Sequence, residues 1–265
     1  MKRTSFIQFC ALCLFFAVSF FLLAENSHPA PSPSDQEIRA KQALGRAIAS
    51  PDGKFFLYEW TRPYDWDRAF DSLPPNVPAH MQTWLYKVDT DLSPSSSEYL
   101  FYPMPGCSYW LGALSPDAKK VSFYVLDEEN HLKAGVYDLV DSKFTWFTMA
   151  PEGRELDHGP FWVSNQELVY VGASGKAVRG NLATGEAKPC PECQSLFEKA
   201  KAASQATGKE KIQIPTELGP GTKLLSASKD GGLKIYAKDT PDTLSLIFQR
   251  GSEKPETLFE NKRHD

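Results

Sequence analysis

Apolar and polar residues alternate in short runs along this chain, and four of the runs follow the same small polar turn. The turns begin at Ser50, Ser115, Ser164 and Ser228, and alternating, β-branched or aromatic residues follow each of them. A period of two is typical of a half-buried strand, and these runs lack the 3.6-residue rhythm of a helix. The recurrence indicates a repeat protein with one four-stranded sheet per repeat, as in a propeller blade.

The best copy of the turn reads Ser-Pro-Asp-Gly-Lys at residues 50–54. Proline presets φ at the first corner, the aspartate hydrogen-bonds back to the local backbone, and glycine accepts the left-handed conformation. The lysine then leaves the turn facing water. Ala118 replaces the glycine in the second copy, and the third copy, from Ser164, has lost both proline and glycine.

The hydrophobic pattern outside the four turn-plus-strand copies predicts one helix and further strands. Residues 194–206, rich in Ala, Lys and Gln, indicate a polar helix that is inserted into the repeats. Residues 35–48 fit either a short helix or, from Leu44 onward, the strand that enters the first blade. The sequence therefore predicts an all-β fold, a β-propeller-like array of about four blades, open or closed, with a short helical insertion near 194–206. Further strands are predicted at 84–89, 98–102, 110–114, 135–140, 144–147, 177–182, 222–226, 244–249 and 256–259.

The N-terminus carries Lys2 and Arg3, an apolar run over 6–23 and then the small residue Ala24. This order predicts a secretory signal peptide at 1–24. Because the run is almost long enough to span a bilayer, an uncleaved anchor at 6–23 is the alternative. In both cases we expect an exported protein, periplasmic or secreted. A linker with a short helix is then expected at 25–43, the propeller-like domain at 44–260 and a charged tail at 261–265.

The net charge indicates which kind of partner is disfavoured, and the chain length indicates how many domains to expect. The formal net charge is −4, and removal of Lys2 and Arg3 lowers it to −6. An acidic product offers no basic face to a phosphate backbone, which argues against nucleic acid as a partner. A membrane would be contacted only through the N-terminal segment. The remaining length of about 240 residues suits a single domain.

The turn-plus-strand unit resembles the blade repeat of TolB-type, WD40-like propellers. It also resembles the N-terminal propeller of prolyl-oligopeptidase-like serine peptidases, and residues 239–246 and 256–261 look like a late blade of that propeller. The similarity covers residues 44–260 as scattered motifs. Those peptidases carry a hydrolase domain with a Gly-x-Ser-x-Gly elbow. Here the sequence Gly-Ala-Ser-Gly at 172–175 is one residue short and is expected in a hairpin turn, so no catalytic domain is expected.

Two cysteines, Cys190 and Cys193, stand just before the predicted helix. Thiols at a helix N-terminus gain thiolate character, which permits a redox role. Zinc would need about four ligands, and the only other cysteine after the leader is Cys107. A thioredoxin-like site would need a βαβ context that is missing. A local disulfide between Cys190 and Cys193 in an oxidising compartment is therefore favoured over the redox and metal alternatives.

Histidine spacing indicates no metal or base–nucleophile site, and no cofactor is predicted. Asp157 and His158 form a neighbouring acid–histidine pair, which we interpret as part of a polar loop. The histidines after the leader are His28, His80, His131, His158 and His264.

A long excursion over 61–82 is the strongest surface candidate, because long loops inside compact domains are often functional. Its aromatic rings offer flat stacking area, and its carboxylates can accept hydrogen bonds or hold a cation. The aspartate spacing lacks the glycine and the bidentate Glu of a calcium loop. The alternative is a loop that folds its rings onto its own blade. The candidate partner-binding residues are Trp60, Tyr64, Asp65, Trp66, Asp67, Phe70 and Asp71.

These patterns together predict an exported, non-enzymatic β-propeller-like module that binds a protein or peptide. Enzymatic activity is not favoured, because the elbow, a triad and a metal constellation are all missing from the sequence pattern. One alternative is a propeller fragment or subunit of a prolyl-oligopeptidase-like peptidase system. Another is a weak dithiol redox protein that uses Cys190 and Cys193.

Overall fold

The computed structural model describes residues 43–63, 81–90, 97–101, 107–153, 156, 158–207 and 214–262. The chain divides into two compact units, residues 1–38 and 39–265, and every described residue belongs to the second. The signal peptide or anchor predicted at 1–24 lies outside the described residues, as does almost all of the linker. Within the described part, no helix has the length and apolar character that crossing a bilayer requires.

Four antiparallel sheets, named blades 1 to 4 in chain order, make up the second unit, and each contains four consecutive strands. Blade 1 consists of β1 (Ala43–Ala49), β2 (Phe55–Pro63), β3 (Met81–Asp89) and β4 (Glu98–Tyr99). Blade 2 consists of β5 (Ser108–Leu114), β6 (Lys120–Leu126), β7 (Leu132–Asp138) and β8 (Lys143–Trp146).

Blades 3 and 4 are separated by the longest connection between blades, which carries the described α-helix. Blade 3 consists of β9 (Phe161–Ser164), β10 (Glu167–Val171), β11 (Ala177–Asn181) and β12 (Ala187–Pro189). Blade 4 consists of β13 (Thr222–Ala227), β14 (Leu233–Asp239), β15 (Thr243–Arg250) and β16 (Glu256–Lys262). The connection contains two short 3-10 turns, Pro191–Cys193 and Thr216–Leu218, and the helix α1, Gln194–Thr207.

A buried serine organises the turn between the first two strands of blade 2. The Ser115 hydroxyl donates to Asp117 Oδ1 at 2.6 Å and accepts from the Lys120 amide at 3.0 Å. The same carboxylate oxygen accepts from the Lys119 amide at 3.2 Å. Ala118 adopts a φ of 55°, the left-handed region that glycine prefers. The turn keeps its geometry without glycine because these hydrogen bonds fix it.

The same hydrogen bonds recur in blades 1 and 4, where Ser50 and Ser228 are the buried serines. Gly53 and Gly231 take the left-handed position there, with φ of 68° and 71°. The third copy is tighter, since Ser164 already pairs with Glu167 and only two residues separate the strands. The loss of proline and glycine that the sequence shows at this copy therefore accompanies a shorter turn.

In blades 1 and 2, alternate residues of a strand face different neighbouring blades, because successive side chains point to opposite faces of a sheet. Phe56 and Tyr58 pack into the core between blades 1 and 4, whereas Leu57 packs into the core between blades 1 and 2. A third core, around Tyr124 and Tyr170, joins blades 2 and 3. The blades thus pack in the spatial order 4, 1, 2, 3.

Polar side chains tie blade 1 to blade 2 through strands β1, β2 and β5. The buried Glu59 carboxylate accepts from the Leu111 amide at 2.6 Å and from the Arg46 amide at 2.8 Å. The Arg46 guanidinium donates to the Leu111 carbonyl at 2.7 Å. Gly45 makes room for this carboxylate, because a Cβ at that position would overlap it.

The interfaces between blades 2 and 3 and between blades 4 and 1 are also joined by side-chain hydrogen bonds, which involve different residues. Between blades 2 and 3, the buried Ser122 hydroxyl donates to the Pro160 carbonyl at 2.6 Å, and Trp162 Nε1 donates to the Ala113 carbonyl at 2.8 Å. Between blades 4 and 1, the Ala49 amide donates to Ser226 Oγ at 3.1 Å. Each interface therefore combines an apolar core with hydrogen bonds that fix its register.

The connection between blades 3 and 4 covers the remaining face of each of those blades. On blade 3, Val169 and Val171 point away from blade 2 and pack against Phe197 of α1. On blade 4, Tyr236 and Ile247 point away from blade 1 and pack against Leu218 of the second 3-10 turn. No apolar core of the described residues joins blade 3 directly to blade 4.

The predicted fold class is confirmed, since the described residues form four four-stranded antiparallel sheets and one helix. The helix predicted at 194–206 is found at Gln194–Thr207. Of the two alternatives at 35–48, the strand is the one found in the described part, where β1 covers Ala43–Ala49. Strand β12 was not predicted. It has only three residues and ends in proline, so it lacks an alternating pattern.

Candidate functional site

Of the seven candidate partner-binding residues, the structure describes one, and the strands of blade 1 take in residues 61–63 and 81–82 of the predicted excursion. Trp60 lies on β2, where its partly buried indole packs edge-on against Phe259 of blade 4, with ring centroids 4.6 Å apart. Tyr64, Asp65, Trp66, Asp67, Phe70 and Asp71 lie outside the described residues.

Cys190 and Cys193 are joined by a disulfide bond at the start of α1. Both are buried, with 3% and 1% of their surface exposed, and they belong to the core that docks the helix on blade 3. Cys107 is a free thiol and fully buried, and that burial raises its pKa. The geometry of the disulfide suits a staple, because thiol exchange requires access to the sulfur atoms.

The described residues form a cavity of about 560 Å³ on blade 2, beside the turn that joins β6 to β7. Strand β8 supplies one wall, and the ends of β6 and β7 supply the other. The lining residues are Val125, Asp127, His131, Leu132, Lys133, Trp146, Phe147, Thr148 and Ala150.

Trp146 lines this cavity and is one half of a stacked aromatic pair. The rings of Phe144 and Trp146 lie 5.4 Å apart and nearly parallel, at 8°, with 42% and 39% of each residue exposed. Gly135 lies opposite Trp146 on β7, and the indole rests where a side chain of residue 135 would be. Beneath it, Phe123 meets the indole edge-on at 5.5 Å. The indole is therefore supported from below and open to solvent above.

The polar wall of the cavity is built around Asp127. Its Oδ1 accepts from the amides of Glu129 and His131 at 3.0 and 2.8 Å, which closes the turn. Its Oδ2 lies 2.6 Å from Lys133 Nζ. Burial by itself raises the pKa of Asp127, but Lys133 and the two amides outweigh it and hold the pKa below its usual value. The hydrogen bond to Asp127 raises the pKa of Lys133.

The cavity wall consequently has little net charge, because its anion and its lysine are paired. Asp127, Glu129 and His131 can bring three ligand atoms within 4.8 Å of one another. However, a metal ion there would have to displace the Lys133 ammonium from Asp127. An uncharged side chain that can stack on an aromatic ring fits this wall better than an ion does.

The sequence pattern predicted a strand at 144–147, but it did not predict the exposed aromatic pair on that strand or the cavity beside it. The missed signal is the pair Phe144 and Trp146, two residues apart on the last strand of a blade, which places both rings on one face. A second signal is the acidic run before His131, where three acids come four, three and two residues ahead of the imidazole. Their meeting with Trp146 depends on the register of β7 and β8, which the pattern does not specify.

Comparisons with known proteins identify no family. A scan against protein-family models found no match, and a search of the curated proteins found none either. Similar solved structures include the apo form of AtxE2 isopeptidase, with 11% identity, a TM-score of 0.41 and coverage of 86% of this chain and 40% of that one. An acylaminoacyl peptidase of Pyrococcus horikoshii has 10% identity and a TM-score of 0.36, with 86% and 34% of the two chains covered.

A third similar structure is a putative TolB from Agrobacterium tumefaciens, with 12% identity, a TM-score of 0.31 and coverage of 83% of this chain and 81% of that one. The chain spans less than half the length of the isopeptidase and of the acylaminoacyl peptidase. At this level of similarity none of these structures identifies a function.

Proposed function

We propose that this protein is an exported, non-enzymatic binding module, and that the cavity beside Trp146 receives a side chain of a protein or peptide partner. The observation that carries the proposal is the solvent-exposed Trp146, which lines a cavity of about 560 Å³ and stacks on the exposed Phe144. Exposed aromatic residues that border a pocket are typical anchors of protein interfaces.

Exposure of this pair stands out against the rest of the molecule. Six large hydrophobic residues of the described part are exposed, and Phe144 and Trp146 are the two that touch each other. Single exposed apolar residues need no explanation, whereas adjoining ones mark interaction sites more often. Of the other four, Tyr99 is the one aromatic residue, and it lies on β4 of a different blade.

The charges of the cavity indicate the kind of side chain it receives. Asp127 and Lys133 neutralise each other at 2.6 Å, so a charged group would gain little from either. An aromatic or aliphatic side chain would stack on Trp146 and remove apolar surface from water at about 25 cal/mol per Å². The aromatic and acidic excursion at 64–71 remains a second predicted contact surface, and export remains the expectation from the leader.

Binding to random peptides tests the proposal. A display library of twelve-residue peptides is selected on the wild-type chain without its leader, and enriched peptides are measured by fluorescence anisotropy. Trp146→Ala should weaken binding by about tenfold or more, the effect of losing an interface anchor. Tyr99→Ala is the matched control, because Tyr99 has the same 39% exposure and also lies on an edge strand. Equal loss in both variants, or no enriched peptide, would contradict the proposal.

Gly135→Ala tests the same site without removing an aromatic ring. A Cβ at residue 135 would come within 2.9 Å of two carbon atoms of the Trp146 indole, so the ring has to move. We expect weaker peptide binding and a shift in tryptophan fluorescence. Unchanged affinity would mean that the position of the indole is unimportant for binding.

A further inference from the structure

We infer that the partner segment binds as an added β-strand along the free edge of β8, with one of its side chains in the cavity beside Trp146. This inference rests on the proposed function and specifies the conformation and chemistry of the ligand. Strand addition uses main-chain hydrogen bonds for affinity and pockets for alternate side chains for specificity.

The first step concerns the position of β8. The order of blade 2 is β5, β6, β7, β8, so β8 pairs with β7 on one side only. An edge strand presents unpaired N–H and C=O groups, which form a template for another strand.

The second step identifies the free main-chain groups. In an antiparallel pair, hydrogen-bonded and non-hydrogen-bonded residue pairs alternate. The Phe147 amide donates to the Ala134 carbonyl at 3.1 Å, while the Leu139 amide donates to the Lys119 carbonyl on the β6 side of β7. With Val136 opposite Thr145 in the register, Thr145 therefore bonds to β7, and Phe144 and Trp146 direct their N–H and C=O groups outward.

The third step is the coincidence of two properties in the same residues. Phe144 and Trp146 carry the outward main-chain groups and also the exposed stacked rings. Gly185 lies close to the end of the β8 edge, since a Cβ at that residue would be 3.1 Å from the Trp146 carbonyl oxygen. An added strand therefore cannot reach this carbonyl group. Both groups of Phe144 and the N–H of Trp146 remain, and none of them has a hydrogen-bond partner among the described residues.

The ligand that fits is a short extended peptide segment with an uncharged aromatic or aliphatic side chain. Its backbone would pair with Phe144 and Trp146, and that side chain would enter the cavity. A helix cannot supply main-chain partners to this edge, since its own N–H and C=O groups are already paired. A charged side chain would meet a wall whose charges are already neutralised.

Amide hydrogen exchange tests the inference on the chain from residue 25 onward, with a display-selected twelve-residue peptide as the probe. On binding, the Phe144 and Trp146 amides should become protected, by tenfold or more in exchange rate. The Thr145 amide should change little because it is already bonded to β7. Peptide binding that depends on Trp146 without protection of these two amides would overturn strand addition and leave the proposed function standing. If no peptide binds, both are wrong.

Phe144→Pro and Phe144→Ala form a matched pair for the same question. Both remove the ring, but only proline also removes the outward N–H, and an edge strand tolerates proline there. Binding should therefore be at least severalfold weaker for Phe144→Pro than for Phe144→Ala, while circular dichroism checks that both fold. Equal affinities in folded variants would contradict the hydrogen bond. Protection that appears without peptide as the protein concentration rises would identify a second copy of the chain as the occupant, and would overturn a peptide ligand.

Discussion

In three of the four repeated turns the first serine, Ser50, Ser115 or Ser228, is buried, so its hydroxyl must be satisfied inside the turn. Ser115 has 2% of its surface exposed, and its hydroxyl both donates to Asp117 and accepts from the Lys120 amide. Ser115→Ala leaves this partly buried amide without its side-chain acceptor. We expect it to lower the free energy of unfolding by about 1–3 kcal/mol, measured by urea denaturation.

Ser174→Ala is the control for that prediction. Ser174 lies in the exposed turn between β10 and β11, so its hydroxyl can be replaced by water. Its free energy of unfolding should change by less than about 0.5 kcal/mol. If both variants lose the same stability, the buried hydroxyl has no special role.

The charge of Asp127 gives a pH dependence with a definite sign. Its pKa in the folded chain lies below 3.8, the value expected in the unfolded chain. Because the pKa is lower in the folded state, the ionised carboxylate stabilises the fold at pH values above 3.8. This stabilisation is lost as the pH falls through the folded-state pKa. The wild type should therefore be more stable than Asp127→Asn near neutral pH, and the difference should shrink under acidic conditions. Urea denaturation across pH measures this, and a constant difference would contradict it.

Residue by residue, the sequence predicted the chemistry of the turns but not the cavity. Pro, Asp and Gly next to one another define a turn locally, and the hydrogen bonds of Asp52 and Ser50 follow from that local geometry. Trp146 meets Lys133 and Asp127 only through the pairing of β7 with β8. Strand register is set by the folded sheet, so a local pattern could not place these side chains together.

At the scale of elements, α1 is held by one buried aromatic ring. Phe197 is fully buried and packs against Phe161 of β9, with ring centroids 5.6 Å apart. Phe197→Ala should lower the free energy of unfolding by about 3–5 kcal/mol, through lost burial and the cavity it leaves. Thermal or urea denaturation under oxidising conditions would measure the effect while the disulfide keeps the start of the helix in place.

Leu196 provides the comparison, since it is the neighbouring helix residue and is 44% exposed. Leu196→Ala changes a side chain that is largely in water already, so a much smaller loss is expected. If the two substitutions are equally costly, the helix is not held by the face that carries Phe197.

The sequence indicated this helix correctly but did not indicate what it covers. Its residues are mostly polar, and the pattern resembles that of an insertion that extends into solvent. The structure shows instead that a small apolar face, centred on Phe197, lies on blade 3. Val169 and Val171 reveal the need for such a cover, because they are apolar and lie on the face of β10 that does not pack on blade 2.

For the molecule as a whole, both outer faces of the array are covered by its own connection. Repeat arrays require such capping to stay soluble. We therefore expect the chain from residue 25 onward to be a monomer, measured by native mass spectrometry or sedimentation velocity. A dimer that dissociates only with unfolding would contradict this and would favour a fold completed by a second chain.

Deletion of α1, residues 194–207, sharpens the same prediction. The deletion uncovers Phe161, Val169 and Val171 on blade 3, so the variant should associate or aggregate where the wild type stays monomeric. A monomeric, folded deletion variant would show that the helix is not needed as a cover.

The number of blades could be counted from the repeated turn, but the spatial order of the blades could not. Each turn reports only on the strands beside it. The packing of blade 4 on blade 1 involves contacts such as that between Ala49 and Ser226, which are 177 residues apart in the chain. Contacts this distant leave no periodic trace in a single sequence.

This contact has a consequence for biosynthesis. A ribosome makes blade 1 first and blade 4 last, yet the two are neighbours. The aromatic face of Phe56, Tyr58 and Tyr86 therefore stays uncovered while blades 2 and 3 are translated, and it is buried only when the C-terminal strands emerge. Contacts between segments far apart in the chain form slowly, and the partly folded intermediates expose apolar surface that promotes aggregation. A nascent chain of this protein would thus benefit from holdase chaperones until the strands of blade 4 have been made.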